Sequence, residues 1–441
     1  MPTQHVHTLE WLAAKKYAAL CVTGMVDHHI QYISTFPHEI RKKILFFVQR
    51  TSVDEAVLCS LLSPGDVRTL DFSSVPMSTN VDFSRVLQLC PLLTSLNISN
   101  WKLGKIPEIL RQSLTLKSIN VGCSINFQDS DLIAICQSCP NLTYLDLSRN
   151  DSLSDVGIVA LASTCTQLVG LKITYVDGIT ETGLHRLLET CTNLETLNIK
   201  GGSGISSVCR PAPSLTSLNA KSLSSIKSHD WQTLLRPRFD KFKSLKMGET
   251  AFSLPQFEPF YTTVSVCALQ ELDISWNAGT TEALVALLER SPYLTKMKAR
   301  ACEYVNDAVV VALAGNCPRL EHLNIARGCE ITDGPLSELA KVCVELKDVD
   351  ISWSKATNIS IGELLLNCTR LKRFSMAGCK QNVLDLRDHI LALNGLIWLN
   401  LSWVNSCSAK FAQDLVNVKT NLCVSDYYGE EIRGIDFHEV R

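Results

Sequence analysis

Fourteen times between Leu70 and Leu401 the chain repeats an apolar, polar, apolar triplet, from Leu70-Asp71-Phe72 to Leu399-Asn400-Leu401, at intervals of 21 to 27 residues. Such a pattern leaves few folds open. A unit of that length cannot bury its own apolar face, so the units must stack and share one continuous core.

The intervening triplets start at Leu96, Ile119, Leu145, Leu171, Leu197, Leu218, Leu245, Leu272, Met297, Leu323, Val349 and Phe374. Between triplets the apolar period changes from two to the helical i, i+3, i+4, i+7, as in Ile158, Leu161, Ala162 and Cys165, or Leu336, Leu339, Ala340 and Cys343. One strand plus one helix per unit predicts an α/β leucine-rich-repeat solenoid: a curved horseshoe with a parallel β-sheet on the concave face, helices on the convex face and a short helical N-terminal cap. The array is expected over residues 68–425, behind a polar tail at 1–10 and a helical cap or docking module at 11–67. A C-terminal cap or tail is expected at 426–441. Pro211, Pro213, Pro237, Pro255 and Pro259 punctuate residues 200–270, which predicts shortened helices there and a protruding loop near Phe252 to Val264.

Eighteen cysteines raise the question of zinc or disulfides, and their phase answers it. Cys90, Cys139, Cys165, Cys191, Cys317, Cys343 and Cys368 each stand six residues before a triplet, where Ser291 fills the same slot before Met297. The position asks for a small side chain, and buried thiols serve as small hydrophobes. Cys136-x-x-Cys139 fits the helix pattern through Leu132 and Ile135, and no second pair with ligand spacing accompanies it. No metal and no cofactor are expected.

Gly122-Cys123, Gly328-Cys329 and Gly378-Cys379 follow strands, Ser154-Asp155 and Thr332-Asp333 open helices, and Cys139 to Leu142 and Cys317 to Leu320 close them as Cys-Pro-x-Leu. This phase-locked set closely resembles the cysteine-containing leucine-rich repeat of the F-box/LRR proteins. Ser154-Asp155 and Thr332-Asp333 also have a local rationale: a short oxygen side chain caps the first N–H groups, and a carboxylate suits the positive end of the helix.

Residues before Val67 do not fit the repeat. Leu12 to Ile33 reads as one amphipathic helix, and Pro37 starts another whose apolar side is Ile40, Ile44, Leu45 and Val48. Tyr17-x-x-Leu20-Cys21-x-x-x-Met25 resembles an elongin-binding box, and Phe36-Pro37-x-x-Ile40-x-x-x-Ile44 resembles the short cullin-binding box that follows it. Phe36-Pro37-His38-Glu39-Ile40 is also similar to the opening of an F-box, although Leu70 begins the first repeat before a complete one could finish. In layout the front end looks most like the antagonist-of-mitotic-exit-network family.

The resemblance implies the substrate-recognition subunit of a cullin-RING ubiquitin ligase. Its N-terminal helices would dock an adaptor of elongin C or Skp type through Tyr17, Leu20, Cys21, Met25, Phe36, Pro37, Ile40 and Ile44, and the adaptor would bring a cullin. Two alternatives stay open: the helices only cap the solenoid, or the chain is a non-ligase scaffold or inhibitor that works by binding other proteins.

The substrate side would be the concave face, where side-chain alternation places each triplet's middle residue and the one two positions later. Early strands present Asn97, Asn120, Asp146 and Ser148; late ones present Asn324, Asp348, Asp350, Ser375 and Asn400. Between them Lys172, Lys200, Lys221, Lys246, Lys298 and Arg300 read as a basic stripe interrupted by Asp273. Tyr175, Trp276, Trp353 and Trp403 each follow a triplet's first residue by four, as packed rings or as exposed anchors. The stripe is either a solvated face or a surface for an acidic or phosphorylated protein. A formal net charge of -2 and aromatics confined to the edge argue against nucleic acid.

No nucleophile elbow, P-loop, His-Glu-x-x-His or dinucleotide fingerprint occurs, so the chain does not read as an enzyme. Residues 1–10 lack an apolar signal segment, and no apolar run approaches the ~20 residues that span a bilayer. A cytoplasmic or nuclear protein without a membrane partner is expected.

Overall fold

The computed structural model describes residues 9–22, 36–48, 55–62, 65, 67–74, 87–101, 115–208, 212–258 and 262–434. Cys209, Pro211, Pro259 and residues 23–33 of the expected first helix, with Met25 among them, lie outside them. The chain forms two compact units, Met1–Ser206 and Ser207–Arg441.

The first unit opens with α1 (Leu9–Val22), α2 (His38–Val48) and α3 (Glu55–Leu62). Six strands follow among the described residues: β1 (Thr69–Asp71), β2 (Ser95–Asn97), β3 (Ser118–Asn120), β4 (Tyr144–Asp146), β5 (Gly170–Lys172) and β6 (Thr196–Asn198). Each pairs in parallel with the next, and the triplet's leading residue is the strand centre, as in Leu145↔Leu171.

In the second unit come β7 (Ser217–Asn219), β8 (Ser244–Lys246), β9 (Glu271–Asp273), β10 (Lys296–Lys298), β11 (His322–Asn324), β12 (Asp348–Asp350), β13 (Arg373–Ser375) and β14 (Trp398–Asn400). They too are parallel neighbours in chain order. Beyond the last triplet, β15 (Cys423–Ser425) continues the order and β16 (Glu431–Arg433) turns back antiparallel on it. A reversed strand covers β15, whose N–H and C=O groups would otherwise be open to pairing.

Strand centres and the residues two positions later, such as Leu171 and Ile173 or Leu323 and Ile325, are buried, as alternation requires. The helices bury Leu and Ala at the expected period, for instance Leu336, Leu339 and Ala340. Between β8 and β9 only the short 3-10 helix Leu254–Phe257 is described. The start of the expected loop does not protrude: Phe252 and Leu254 are buried.

Two side-chain ladders tie neighbouring repeats, in addition to the packing and capping roles that the sequence suggested for the same segments. The recurrent cysteine is the residue just past the helix, and its thiol donates to the carbonyl at the end of the helix before: Cys165 to Cys139, Cys191 to Cys165, Cys317 to Ser291, Cys343 to Cys317 and Cys368 to Cys343, at 3.5–3.8 Å. Cys317 and Cys368 also reach the carbonyls of Leu288 and Ala340, three residues earlier. Lys419 occupies the same place after the helix Ala409–Val418, and its ammonium donates to Leu393 O and Ile390 O.

The carboxylates that follow the caps form the second ladder. Asp155 accepts from the N–H and hydroxyl of Thr180, Asp307 from those of Thr332, and Asp333 from those of Thr357 as well as from Ser360. Ser154 caps its helix as expected by accepting from Val156 N while its hydroxyl donates to Asp129, whereas the Thr332 hydroxyl donates to Asp307 and makes no side-chain cap bond.

Burial pushes the Cys317 and Cys368 thiols up to about 12 and that of Cys343 up to about 11, and a thiol held protonated is a poor nucleophile. Cys123 and Cys329, which follow strands, are exposed in turns, unlike the cysteines at the helix ends. Native protein treated with a water-soluble thiol reagent should therefore be modified at Cys123 and Cys329, with Cys317, Cys343 and Cys368 protected until denaturant is added. Peptide mass mapping checks this; early modification of Cys343 would mean that the helix ends open.

Candidate functional site

At the front end the helix α1 packs on α2, and the ring of Tyr17 meets that of Phe36 edge-on with centroids 5.4 Å apart. Tyr17, Leu20, Phe36 and Ile40 are half-buried, Pro37 is exposed, and Ile44 belongs to the core. Cys21 is in α1, and its side chain, like Met25, is outside the described residues. The residue that organises this corner is one the sequence reading passed over. Arg41 is buried on the core face of α2, where its Nε donates to Phe36 O and its Nη1 to Leu61 O, both at 3.1 Å. A charge one turn from Ile44 and Leu45, on their side of the helix, was the available signal.

On the sheet face, most of the polar residues expected to line a groove are turn elements. In the first unit the Oδ1 of Asp71, Asn97, Asn120, Asp146 and Asn198 accepts the N–H two residues on. Asn219, Asp273, Asn324, Asp350 and Asn400 do the same in the second. Such side chains steer the chain off its strand. Lysine stands in this row at Lys172, Lys246 and Lys298, where it cannot accept.

Most cations of the expected stripe are paired. Lys172 lies 3.6 Å from Asp146. The ammonium of Lys200 sits 5.2 Å from the ring centroid of Tyr175, which also carries the guanidinium of Arg149 at 5.4 Å. In the second unit Lys221 spans a whole repeat to reach Asp273 at 2.8 Å, passing Gly248, where a Cβ would come within 3.3 Å of its Cε. Lys246 and Lys296 both bind Glu271 at 2.9 Å. Burial disfavours the charged form of Glu271, but hydrogen bonds from Lys246, Lys296 and Ser244 outweigh it and hold the carboxyl at about 2. Lys298 and Arg300 have no carboxylate within ion-pair distance among the described residues.

The aromatics stand out by their backbone. In the first unit the residue four past each strand centre from β2 onward has positive φ: Asn100, Cys123, Arg149, Tyr175 and Gly201. In the second unit the series is Ser222, Glu249, Trp276, Ala301, Arg327, Trp353, Gly378 and Trp403. Within each unit the conformation lets the N–H reach the next repeat, as in Trp276 N to Arg300 O at 2.9 Å and Trp353 N to Ala377 O at 2.8 Å. A bulky residue there costs roughly 1–3 kcal/mol where glycine would be unstrained.

These rings are exposed: Tyr175 by 39%, Trp276 by 51%, Trp353 by 46% and Trp403 by 57%. Each of the first three lies beside a small residue one repeat later. A Cβ on Gly201 would meet the Tyr175 ring at 2.3 Å, and one on Gly378 would meet the Trp353 ring at 2.5 Å. After Trp276 the small residue is Ala301, and Arg327 reaches back to place its guanidinium 5.6 Å from the Trp276 centroid. Trp403 contacts Tyr427 at 5.7 Å. The second unit thus shows exposed indoles beside two unpaired cations. Arg327 was missed because the sequence marks the aromatic phase but does not show that every residue at that phase lines the same edge.

Residues 138–162 match the model described as Leucine Rich repeat. Over 93 residues, 20% of this chain and 24% of the relative, the sequence is 36% identical to antagonist of mitotic exit network protein 1 of Eremothecium gossypii. Over 117 residues it is 32% identical to the Saccharomyces cerevisiae protein of the same name, covering 25% of this chain and 21% of that one. The matched stretch is less than a quarter of either relative. Among solved structures, the yeast Rad7 and Elc1 complex is similar with a TM-score of 0.45 and 18% identity, covering 94% of this chain and 86% of that one. An internalin from Listeria monocytogenes follows at 0.41 and 16%, covering 83% and 88%.

Proposed function

We propose that this chain, a leucine-rich-repeat protein with local similarity to the antagonist-of-mitotic-exit-network proteins, is the substrate receptor of a cullin-RING ubiquitin ligase. Its N-terminal helices dock an adaptor of elongin C or Skp type, its sheet face holds a protein substrate, and a separate enzyme performs the transfer in the cytoplasm or nucleus. The observation that supports the reading is the set Tyr17, Leu20, Phe36 and Ile40. Their half-exposed apolar surface matches the box-like spacing of the sequence, and Arg41 ties the Phe36 carbonyl to α2.

Affinity purification of the full chain should recover an elongin C or Skp-type adaptor together with a cullin. The double variant Leu20→Asp, Ile40→Asp should lower that recovery about tenfold or more, since each change places a charge in an apolar contact. An unchanged melting temperature for the variant separates lost docking from lost folding. Wild-type protein that brings down partners but neither adaptor nor cullin would favour a scaffold or inhibitor instead.

A further inference from the structure

We infer that the edge of the second unit around Lys298 and Arg300 binds an anionic peptide segment, whose phosphoryl group or paired carboxylates meet these two cations while a neighbouring apolar side chain lies against Trp353. The inference rests on the reading above that the sheet face receives a protein, and it names the chemistry of that protein.

Charge argues for it first. Within β9 to β12 the acids nearest Lys298 and Arg300 are already engaged. Asp273, opposite Lys298 in the strand register, is held by Lys221 and by Ser275. Asn324, opposite on the other side, is neutral and donates to Asp350, which also receives Ser352. Lys296 is bound to Glu271 and Lys347 to Glu321. Lys298, the last residue of β10, and Arg300, in the turn that follows it, therefore present positive charge that no described side chain pairs with at ion-pair distance. A guanidinium and an ammonium two positions apart suit one phosphoryl group or two adjacent carboxylates.

The flanking indoles supply the apolar part. Trp276 and Trp353 sit one strand before and two strands after β10 and hold a strained backbone in place, with their rings in solvent. Neighbouring strands are about 4.8 Å apart, so Trp353 lies about 10 Å from the Arg300 row, the reach of roughly three residues of extended peptide. The expected ligand has an anionic residue and an apolar residue about three positions apart.

Nucleic acid fits less well. A single strand needs a continuous basic track with stacking platforms along it. Here Asp273 and Asp350 flank Lys298 in the same row, so the positive charge makes no continuous track. One face of the Trp353 ring already covers Gly378, and Trp276 carries Arg327.

The test uses the full chain and short fluorescent peptides in which a leucine stands three residues from phosphothreonine, from a Glu-Glu pair or from unmodified threonine. A single-stranded oligothymidylate is the rival probe. Phosphopeptide or Glu-Glu peptide should bind in preference to the threonine peptide, and which of the two binds identifies the source of the anion. Lys298→Ala and Arg300→Ala should each weaken that binding roughly tenfold or more. Trp353→Ala should remove the advantage of the leucine while keeping that of the anion. No preference for an anionic peptide, unchanged binding by the alanine variants, or equal affinity for the oligonucleotide would overturn the inference. Adaptor recovery should be unaffected by Arg300→Ala. Peptide binding without any adaptor in the wild type would therefore sink the ligase reading alone, and the reverse result would sink this one alone.

Discussion

Trp231→Ala is expected to lower the free energy of unfolding by about 3–5 kcal/mol, the range for a large aromatic removed from a packed interior. Trp231 lies in the helix Ser228–Leu235, is fully buried, and belongs to the stretch where prolines interrupt the repeat. Among the described residues, the elements that pack on this helix include the short 3-10 helices Arg236–Lys241 and Leu254–Phe257. Its indole N–H has no hydrogen-bond partner among the described residues. Trp231→Phe should consequently cost less than about 1.5 kcal/mol, because the volume lost is offset by removal of a buried unpaired donor. Urea unfolding followed by circular dichroism compares the two. Equal losses would mean that the N–H is satisfied, for instance by a trapped water.

The second large effect is expected at Asp333, which accepts bonds from Thr357 N, Thr357 Oγ1, Ser360 N and Ser360 Oγ across a repeat boundary. Asp333→Ala should cost roughly 2–3 kcal/mol, as expected when hydrogen bonds to a charged acceptor are lost and the buried Ser360 hydroxyl is stranded. Burial raises the carboxyl's pKa, but the bonds from Ser360 and Thr357 lower it further, so the folded value lies below the usual one. A depressed carboxylate contributes stability above its unfolded pKa and loses that contribution as pH falls through the folded value. The difference in urea midpoint between wild type and Asp333→Ala should be full at neutral pH and shrink in acid. A difference that does not change with pH would show that the stabilisation does not depend on the charge.

The strands could be read from the sequence because strand centres such as Leu145 and Leu323 obey a local rule that stacking does not alter. Links between repeats were harder to see. Asp155 and Asp333 look like ordinary first-turn carboxylates until the register sets them against Thr180 and Thr357, about 25 residues later. The same register turned much of the expected basic stripe into ion pairs, as where Lys221 passes closely over Gly248 to reach Asp273. Asn97 and Asn324 were read as groove residues, but their carbonyl oxygens serve the backbone two positions on. Trp276, Trp353 and Trp403 could be picked out by phase, while their exposure depended on a backbone conformation that residue type alone disfavours.

The thiol and carboxylate ladders share a direction: the earlier repeat offers the acceptor and the later one the donor. Deletions from the two ends are therefore not equivalent. Trimming from the C-terminal side bares carbonyls and carboxylates, which water solvates readily. Trimming from the N-terminal side instead bares hydroxyl and sulfhydryl donors, so the two kinds of shortened form present new ends of opposite hydrogen-bonding character.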